Sequence, residues 1–261
     1  MYRYIKIYKK LLQLSLSSMT AFRMGTLNNF ISGFVWATFT LLTTLLVTSK
    51  TRSLYGWHPN ELLLLTGTYT LMWGVFNVLF SKNFNDIPHI LDLGKLDIFL
   101  LKPINSQFLL SVNRINYMAF VRIIIGTIIL YITSSKMHLM LNSELLGTYS
   151  MLLVCGVLIM YASWFIVSTL LIWHDRLSNL LSLMYNITSM ANRPTEMYLK
   201  ISTYIIYMLP IVLIATIPTR YLLHKTTNNE IIMFILLTVI IVSVSIWFWK
   251  IALKSYTSVS S

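Results

Sequence analysis

The feature that most limits the fold of this chain is a series of long apolar windows between charged residues. A helix needs about 20 mostly apolar residues to cross the hydrocarbon core of a bilayer. Such windows occur at 24–49, 62–81, 115–135, 145–174 and 231–249. The third is interrupted by Arg122, and the others contain no charged residue. The pattern predicts a transmembrane helix in each window.

Two weaker windows lie between the fourth and the last of these. The window 201–219 is the more hydrophobic but contains Pro210 and Pro218, whereas 177–192 is uncharged but richer in Ser and Asn. If one of them crosses, the chain has six spans and both termini face the same side of the membrane. Hydropathy alone favours 201–219.

The composition places the chain in the class of multi-pass membrane proteins. It is 56% hydrophobic and 11% charged, against about 25% charged residues in a soluble domain. We expect one integral membrane domain over 1–261. The net charge of +12 is better explained by basic residues that flank membrane spans and meet lipid headgroups than by nucleic-acid binding.

The distribution of basic residues predicts the orientation of the spans. Cytoplasmic loops are enriched in Lys and Arg. The N-terminal region, the segment 82–108 and the C-terminus are basic, so we expect all three in the cytoplasm. The residues that carry this asymmetry are Arg3, Lys6, Lys9, Lys10, Arg23, Lys82, Lys95, Lys102, Lys250 and Lys254, against Lys50, Arg52 and Lys136 on the other face.

Residues 1–23 predict an amphipathic helix that lies in the cytoplasmic membrane interface. Basic and polar residues recur there at helical spacing opposite an apolar face. They are Arg3, Lys6, Lys10 and Gln13, facing away from Tyr4, Ile5, Tyr8, Leu11 and Leu12. The stretch lacks the compact apolar region and cleavage site of a signal peptide.

The sequence contains no recognisable catalytic grouping, metal-ligand spacing or phosphate-binding loop. Its one Gly-Lys pair, Gly94-Lys95, is followed by Leu96 rather than by Ser or Thr. We therefore expect no cofactor in this chain, and transport against a gradient would need energy from another polypeptide. Arg122 is the one charged residue inside a predicted span. It either extends to the membrane interface or packs against a neighbouring helix, or else it lines a substrate path or a dimer interface.

The segment 82–105 is amphipathic and contains helix-breaking residues. Asn85 or Asp86 can begin a helix, Gly94 can end it in the left-handed conformation, and Pro103 ends a second apolar run. The pattern predicts a short cytoplasmic helix, a glycine turn and a return to the membrane. Such a segment is either an ordinary polar loop or a docking element for a partner.

This segment resembles a signature of ABC type-2 permeases, the membrane subunits of ABC exporters whose ATPase is a separate chain. In that family I-x-x-G-x-L-D-x-x-L-x-x-P follows the second span. The positions that match are Gly94, Leu96, Asp97, Leu100 and Pro103, while Leu91 stands at the first position with Ile90 one residue earlier. Two further patches are similar, GWHPNELLLLTG at 56–67 and the late pattern Pro194, Tyr198, Pro210, Pro218.

The resemblance implies an all-α integral membrane fold with the interfacial N-terminal helix and six transmembrane helices. It also implies an outer re-entrant hairpin over 193–219, before the last span, with 177–192 as the fifth span. This assignment is opposite to the one from hydropathy, and we prefer it. It puts Arg193 and Lys200 outside, which the charge rule mildly disfavours.

The resemblance also implies partners and a location. Two permeases, identical or different, form the translocation path in the cytoplasmic (inner) membrane. Two ABC ATPase subunits bind ATP and Mg and dock on 82–108, where Gly94 and Asp97 shape the turn and Ile90 and Leu91 contact the ATPase. The sequence leaves open an energy-independent carrier, an integral-membrane enzyme and an assembly subunit. It does not indicate the substrate.

Overall fold

The computed structural model describes residues 2–21, 23–50, 53–140, 142–173, 179–198 and 210–256, and this part of the chain is helical, with one isolated β-bridge between Leu54 and Trp57. Its α-helices are α1 (Tyr2–Ala21), α2 (Arg23–Lys50), α3 (Pro59–Phe76), α4 (Lys82–Asp92), α5 (Leu96–Leu100), α6 (Ser106–Val112), α7 (Phe120–Lys136), α8 (Ser143–Leu170), α9 (Asn179–Met190), α10 (Leu213–Leu222) and α11 (Asn228–Ser255).

Within the described ranges, five helical segments are long and apolar enough to cross a membrane: Phe30–Lys50, Pro59–Asp92, Tyr117–Lys136, Ser143–Leu170 and Asn228–Ser255. They coincide with the five strong windows of the sequence, so those predictions are confirmed. A short 3-10 turn, Tyr117–Ala119, leads into α7. Arg122 therefore lies near the start of its span.

The second span is longer than its sequence window. A π-helical turn, Asn77–Ser81, joins α3 to α4 without a break, and the continuous helix runs for 34 residues. The prediction that a separate helix begins at Asn85 or Asp86 is therefore wrong. A π turn inserts an extra residue into the helix without ending it, and Pro88 lies inside α4.

In the described parts of the two weaker windows the helices are shorter. The described helix α9 has 12 residues, which rise about 18 Å, less than the roughly 30 Å of a bilayer core. Pro210–Leu222 forms a 3-10 turn followed by α10. Residues 174–178 and 199–209, which include half of the window 201–219, lie outside the described residues. The sixth span stays a prediction.

Helix α3 is at the centre of the bundle. In the most apolar window of its span 72% of the residues are buried, against 11% for the α2 window and 17% for the α11 window. Its closest neighbour is α7, and glycines make this contact possible. A Cβ atom on Gly126 would lie 2.6 Å from the backbone nitrogen of Leu71, and one on Gly74 would lie 2.8 Å from that of Ile123.

One end of the bundle, called here the Gly94 end, consists of α1, the segment 82–116 and the last turns of α8 and α11. Tyr117 donates a hydrogen bond to the Leu12 carbonyl of α1 at 3.0 Å. Trp249 of α11 donates to Ser106 at 3.1 Å. The helix predicted at 1–23 is present as α1, while its place in the membrane interface stays a prediction.

The other end, called here the Glu61 end, is held by ion pairs. Lys225 Nζ lies 2.6 Å from the buried Glu61 at the start of α3. Arg220 of α10 pairs with Glu196 and lies 3.7 Å from Glu230 at the start of α11. The turn Thr195–Met197 and the C-terminal end of α10 therefore lie at the same end of the bundle.

Candidate functional site

The turn after α4 is a glycine-terminated helix end. Gly94 has a φ of 62°, the left-handed conformation in which a side chain is strained. Its N–H donates to the Leu91 carbonyl at 2.9 Å, and the Lys95 N–H donates to the Ile90 carbonyl at 2.9 Å. These two bonds are the Schellman pattern that ends a helix and reverses the chain. The turn predicted from Gly94 is present.

The signature residues around this turn differ in exposure. Leu96 is 1% exposed and cannot contact a partner directly. Ile90 and Leu91 are partly buried and line a small gap with Phe165 and Trp249 of the bundle. Leu100 is also partly buried, whereas Pro103 is exposed.

The exposed apolar side chains of this segment are ones that the signature does not include. Leu93 is 49% exposed, Ile98 54% and Leu101 84%. All three are apolar residues close to charged ones in a segment expected outside the membrane, which is a weak indication in the sequence of an exposed apolar surface. Their exposure depends on how α5 packs, which periodicity over five residues does not reveal.

Asp97 lies next to the last described residue of the chain. The pKa of the Tyr256 phenol is raised mainly by desolvation and further by the neighbouring Asp97 carboxylate. Tyr256 also packs on the main hydrophobic core. The signature turn is therefore in contact with the C-terminal end of α11.

A second region of interest is a groove that runs between α2, α3 and α9. It consists of two adjoining lobes of about 510 and 660 Å³. Arg122 lines the smaller lobe, and Arg193 lines the larger one. The two lobes share Trp36, Thr40, Ser189 and Asn192.

The wall of the groove is rich in uncharged polar groups. Thr44 of α2 and Thr66 of α3 both line the larger lobe and are hydrogen-bonded to each other, with 3.0 Å between their hydroxyl oxygens. The buried Oδ1 atom of Asn192 accepts no hydrogen bond from a described protein group. Further polar residues of the wall are Thr43, Thr48, Tyr69, Asn77, Tyr185 and Asn186. The Ser and Asn content of the window 177–192 was the signal in the sequence for this wall, and it did not locate the groove.

Arg122 has no carboxylate partner among the described residues. The described acidic side chains with an assigned partner lie at one of the two ends of the bundle, and none lines the groove. The phenols of Tyr69 and Tyr185 line the same lobe of the groove as Arg122. On α2, a Cβ atom on Gly33 would lie 4.0 Å from its Nε. Among the described residues, Arg122 therefore faces a polar groove without an ion-pair partner.

The residues of the predicted hairpin occupy different positions. Pro194 lines the larger lobe of the groove. The buried Tyr198 donates a hydrogen bond from its hydroxyl to the Met190 carbonyl at 3.2 Å. Pro210 begins the 3-10 turn before α10, and Pro218 lies inside α10. Residues 199–209, between these two groups, lie outside the described residues.

Comparison with known proteins gives one match. A family model described as ABC-2 family transporter protein matches residues 34–260. This range includes α3 to α11, the turn at Gly94 and the groove. No curated protein and no solved structure matches the chain.

Proposed function

The chain belongs to the ABC-2 family of transporter proteins, and on that premise we propose that it is the membrane-spanning permease subunit of an ATP-driven exporter. It is a multi-pass membrane protein. In this proposal it catalyses no reaction itself. A separate ABC ATPase chain binds ATP and Mg and hydrolyses the nucleotide, because the permease sequence has no phosphate-binding loop.

The observation that carries the proposal is the segment after the second span. A helix end fixed by Gly94 presents Leu93, Ile98 and Leu101 at one end of the bundle. Exposed apolar side chains beside charged ones are typical of a surface that a partner protein covers. We propose that the ATPase docks there, with Ile90, Leu91 and Leu96 supporting the surface from beneath.

The continuity of α3 and α4 suggests how movement of the docked ATPase is transmitted to the membrane-spanning helices. Both helices belong to one unbroken segment, Pro59–Asp92. Tyr69, Trp73 and Asn77 of the same segment line the groove. Movement of α4 by an ATPase would therefore tilt the groove wall, and the two permease states would differ in the access to the groove.

The remaining parts of the assembly follow from the same premise. A second permease, identical or different, completes the path of which the groove is one half. The chain lies in the cytoplasmic membrane, in contact with its lipids, with the Gly94 end and both termini in the cytoplasm. The ion pair between Glu196 and Arg220 supports a re-entrant hairpin over 193–219, since it keeps the two limits of that segment at the Glu61 end.

The proposed docking surface is tested with substitutions at two equally exposed residues. Leu101 and Met140 are each 84% exposed, the first at the Gly94 end and the second in the connection after α7 at the Glu61 end. We expect Leu101→Asp to lower the amount of ABC ATPase that co-purifies with the permease by about tenfold, the equivalent of about 1.4 kcal/mol of binding free energy, because it places a charge in an apolar contact.

The control, Met140→Asp, should leave the co-purification unchanged. The measurement is a pull-down of a co-expressed ABC ATPase from the same genome, with the ATPase activity of the complex as a second readout. Unchanged binding in Leu101→Asp and in Ile98→Asp would show that the ATPase docks elsewhere. Transport by the purified permease without any ATPase would contradict the proposed function as a whole.

A further inference from the structure

The groove contains a cation that no described carboxylate neutralises. Arg122 lies in a membrane-spanning helix and forms no ion pair with a described carboxylate. A charged side chain inside a membrane span is costly unless it is paired or reaches the membrane interface, and Arg122, near the start of its span, lines a polar groove instead of an apolar surface. Its planar guanidinium has a geometry that suits two oxygen atoms of a phosphate or a carboxylate. Among the described residues nothing supplies this partner, so an anionic group of a ligand would complete the pair.

The rest of the groove has the apolar wall and the volume of a site for a ligand larger than an inorganic anion. Trp36 and Trp73 lie in its wall together with Phe39, Val47 and Leu62. Large aromatic side chains provide apolar contact area for a ligand. The volume of each lobe, about 510 and 660 Å³, is in the range of sites that enclose an organic ligand. An apolar body fits along the aromatic wall.

The position of Arg122 beside the helical segment Pro59–Asp92, which we expect the ATPase to move, supports a role in transport. The π turn Asn77–Ser81 begins at Asn77, which lines the same lobe as Arg122. π turns are frequent at functional sites in helices. This turn also joins the groove-lining part of the segment to α4. A ligand on Arg122 therefore contacts the same helix that reaches the Gly94 surface.

We propose that this groove binds an anionic amphiphile, a molecule with a phosphate or carboxylate head that pairs with Arg122 and an apolar chain that lies against Trp36 and Trp73. As a statement about the exported substrate, the proposal rests on the proposed function. As a statement about binding, it concerns this chain alone and can be tested without an ATPase.

The test uses the full-length permease in phosphatidylcholine nanodiscs and the quenching of its tryptophan fluorescence by brominated lipids. The probes are phosphatidic acid and phosphatidylcholine with the same brominated acyl chains. We expect phosphatidic acid to reach half-maximal quenching at a mole fraction about tenfold lower, the size of effect that one charge-assisted pair supplies. Trp73→Phe should remove part of this quenching if the probe lies in the groove.

The matched variants are Arg122→Gln, Arg122→Lys and Lys136→Gln. Arg122→Gln should abolish the preference for phosphatidic acid, and Arg122→Lys should retain most of it. Lys136→Gln removes one positive charge from the exposed far end of the same helix and should leave the preference unchanged. Equal quenching by both lipids in the wild-type protein, or a preference that survives Arg122→Gln, would overturn the proposal.

Competition experiments identify the source of the anionic group. Displacement of the brominated probe by unlabelled phosphatidic acid in the bilayer supports a membrane lipid, and displacement by lysophosphatidic acid added from water supports a single-chain amphiphile. Displacement by inorganic phosphate alone would overturn the proposal, because the apolar chain would then contribute nothing. Failure of anion binding while an ATPase still co-purifies would reject this inference and leave the proposed function intact.

Discussion

At the scale of single residues, Gly94 sets the direction of the chain at the proposed docking surface. Its φ of 62° allows the two 2.9 Å hydrogen bonds that end α4. A residue with a side chain pays about 1–2 kcal/mol for this conformation. Leu93, Ile98 and Leu101 lie on either side of this turn, so their relative positions depend on it.

Gly94→Ala should lower the free energy of unfolding by about 1 kcal/mol, the cost of the left-handed conformation. The same change at Gly147 is the control. Gly147 lies in the first turns of α8 with nothing within 4 Å of an added Cβ, so alanine there should be neutral or stabilise by about 0.5–1 kcal/mol through its helix propensity. Thermal unfolding in detergent measures both. Equal effects at the two positions would show that the turn is not under this constraint.

At the scale of helices, the crossing of α3 and α7 depends on glycines from both. Gly126 of α7 lies against the backbone of Leu71, and Gly74 of α3 lies against the backbone of Ile123. Small residues at such crossings let two membrane helices come close. Because backbone atoms cannot move aside as a flexible side chain can, the contact leaves no room for a larger residue.

Gly126→Val should separate α3 from α7 and lower the yield of folded protein by several fold, since a Cβ there would lie 2.6 Å from the Leu71 nitrogen. Gly147→Val adds the same side chain at an open position and should fold normally. Size-exclusion chromatography of the detergent-solubilised protein, with its melting temperature, gives the comparison. A normal profile for Gly126→Val would show that α7 packs differently.

The same helices show what the sequence can and cannot predict. The five strong spans follow from local composition, because a bilayer requires an apolar length whatever the neighbours are. The turn at Gly94 is also local. The groove is not, since Thr66 and Asn192 meet only after α2, α3 and α9 have packed. Leu91 and Leu93 look alike in the sequence, and only the contacts of α4 make the first partly buried and the second exposed.

At the scale of the whole molecule, charge and geometry together predict which end faces the cytoplasm. The Gly94 end holds Lys82, Lys95 and Lys102, and the Glu61 end holds a network in which acidic and basic residues are paired. The positive-inside rule therefore assigns the Gly94 end to the cytoplasm. Arg193 lies three residues before Glu196 and is exposed. In this orientation it is outside, although a basic residue in a short loop would by itself favour the inside.

Cysteine labelling of intact cells resolves that conflict. The native Cys155 is buried and is replaced by alanine in the background chain. Arg193→Cys should react with a membrane-impermeant maleimide, whereas Lys95→Cys should react only after the cells are permeabilised. Tyr198 is a poor position for the label because it is buried.

Labelling of both cysteines from the same side would contradict the structure, because the pair between Glu196 and Arg220 places Arg193 at the end opposite to Lys95. Protection of Arg193→Cys together with labelling of Lys95→Cys would instead show that the whole molecule has the opposite orientation. The proposed docking surface would then lie outside the cytoplasm.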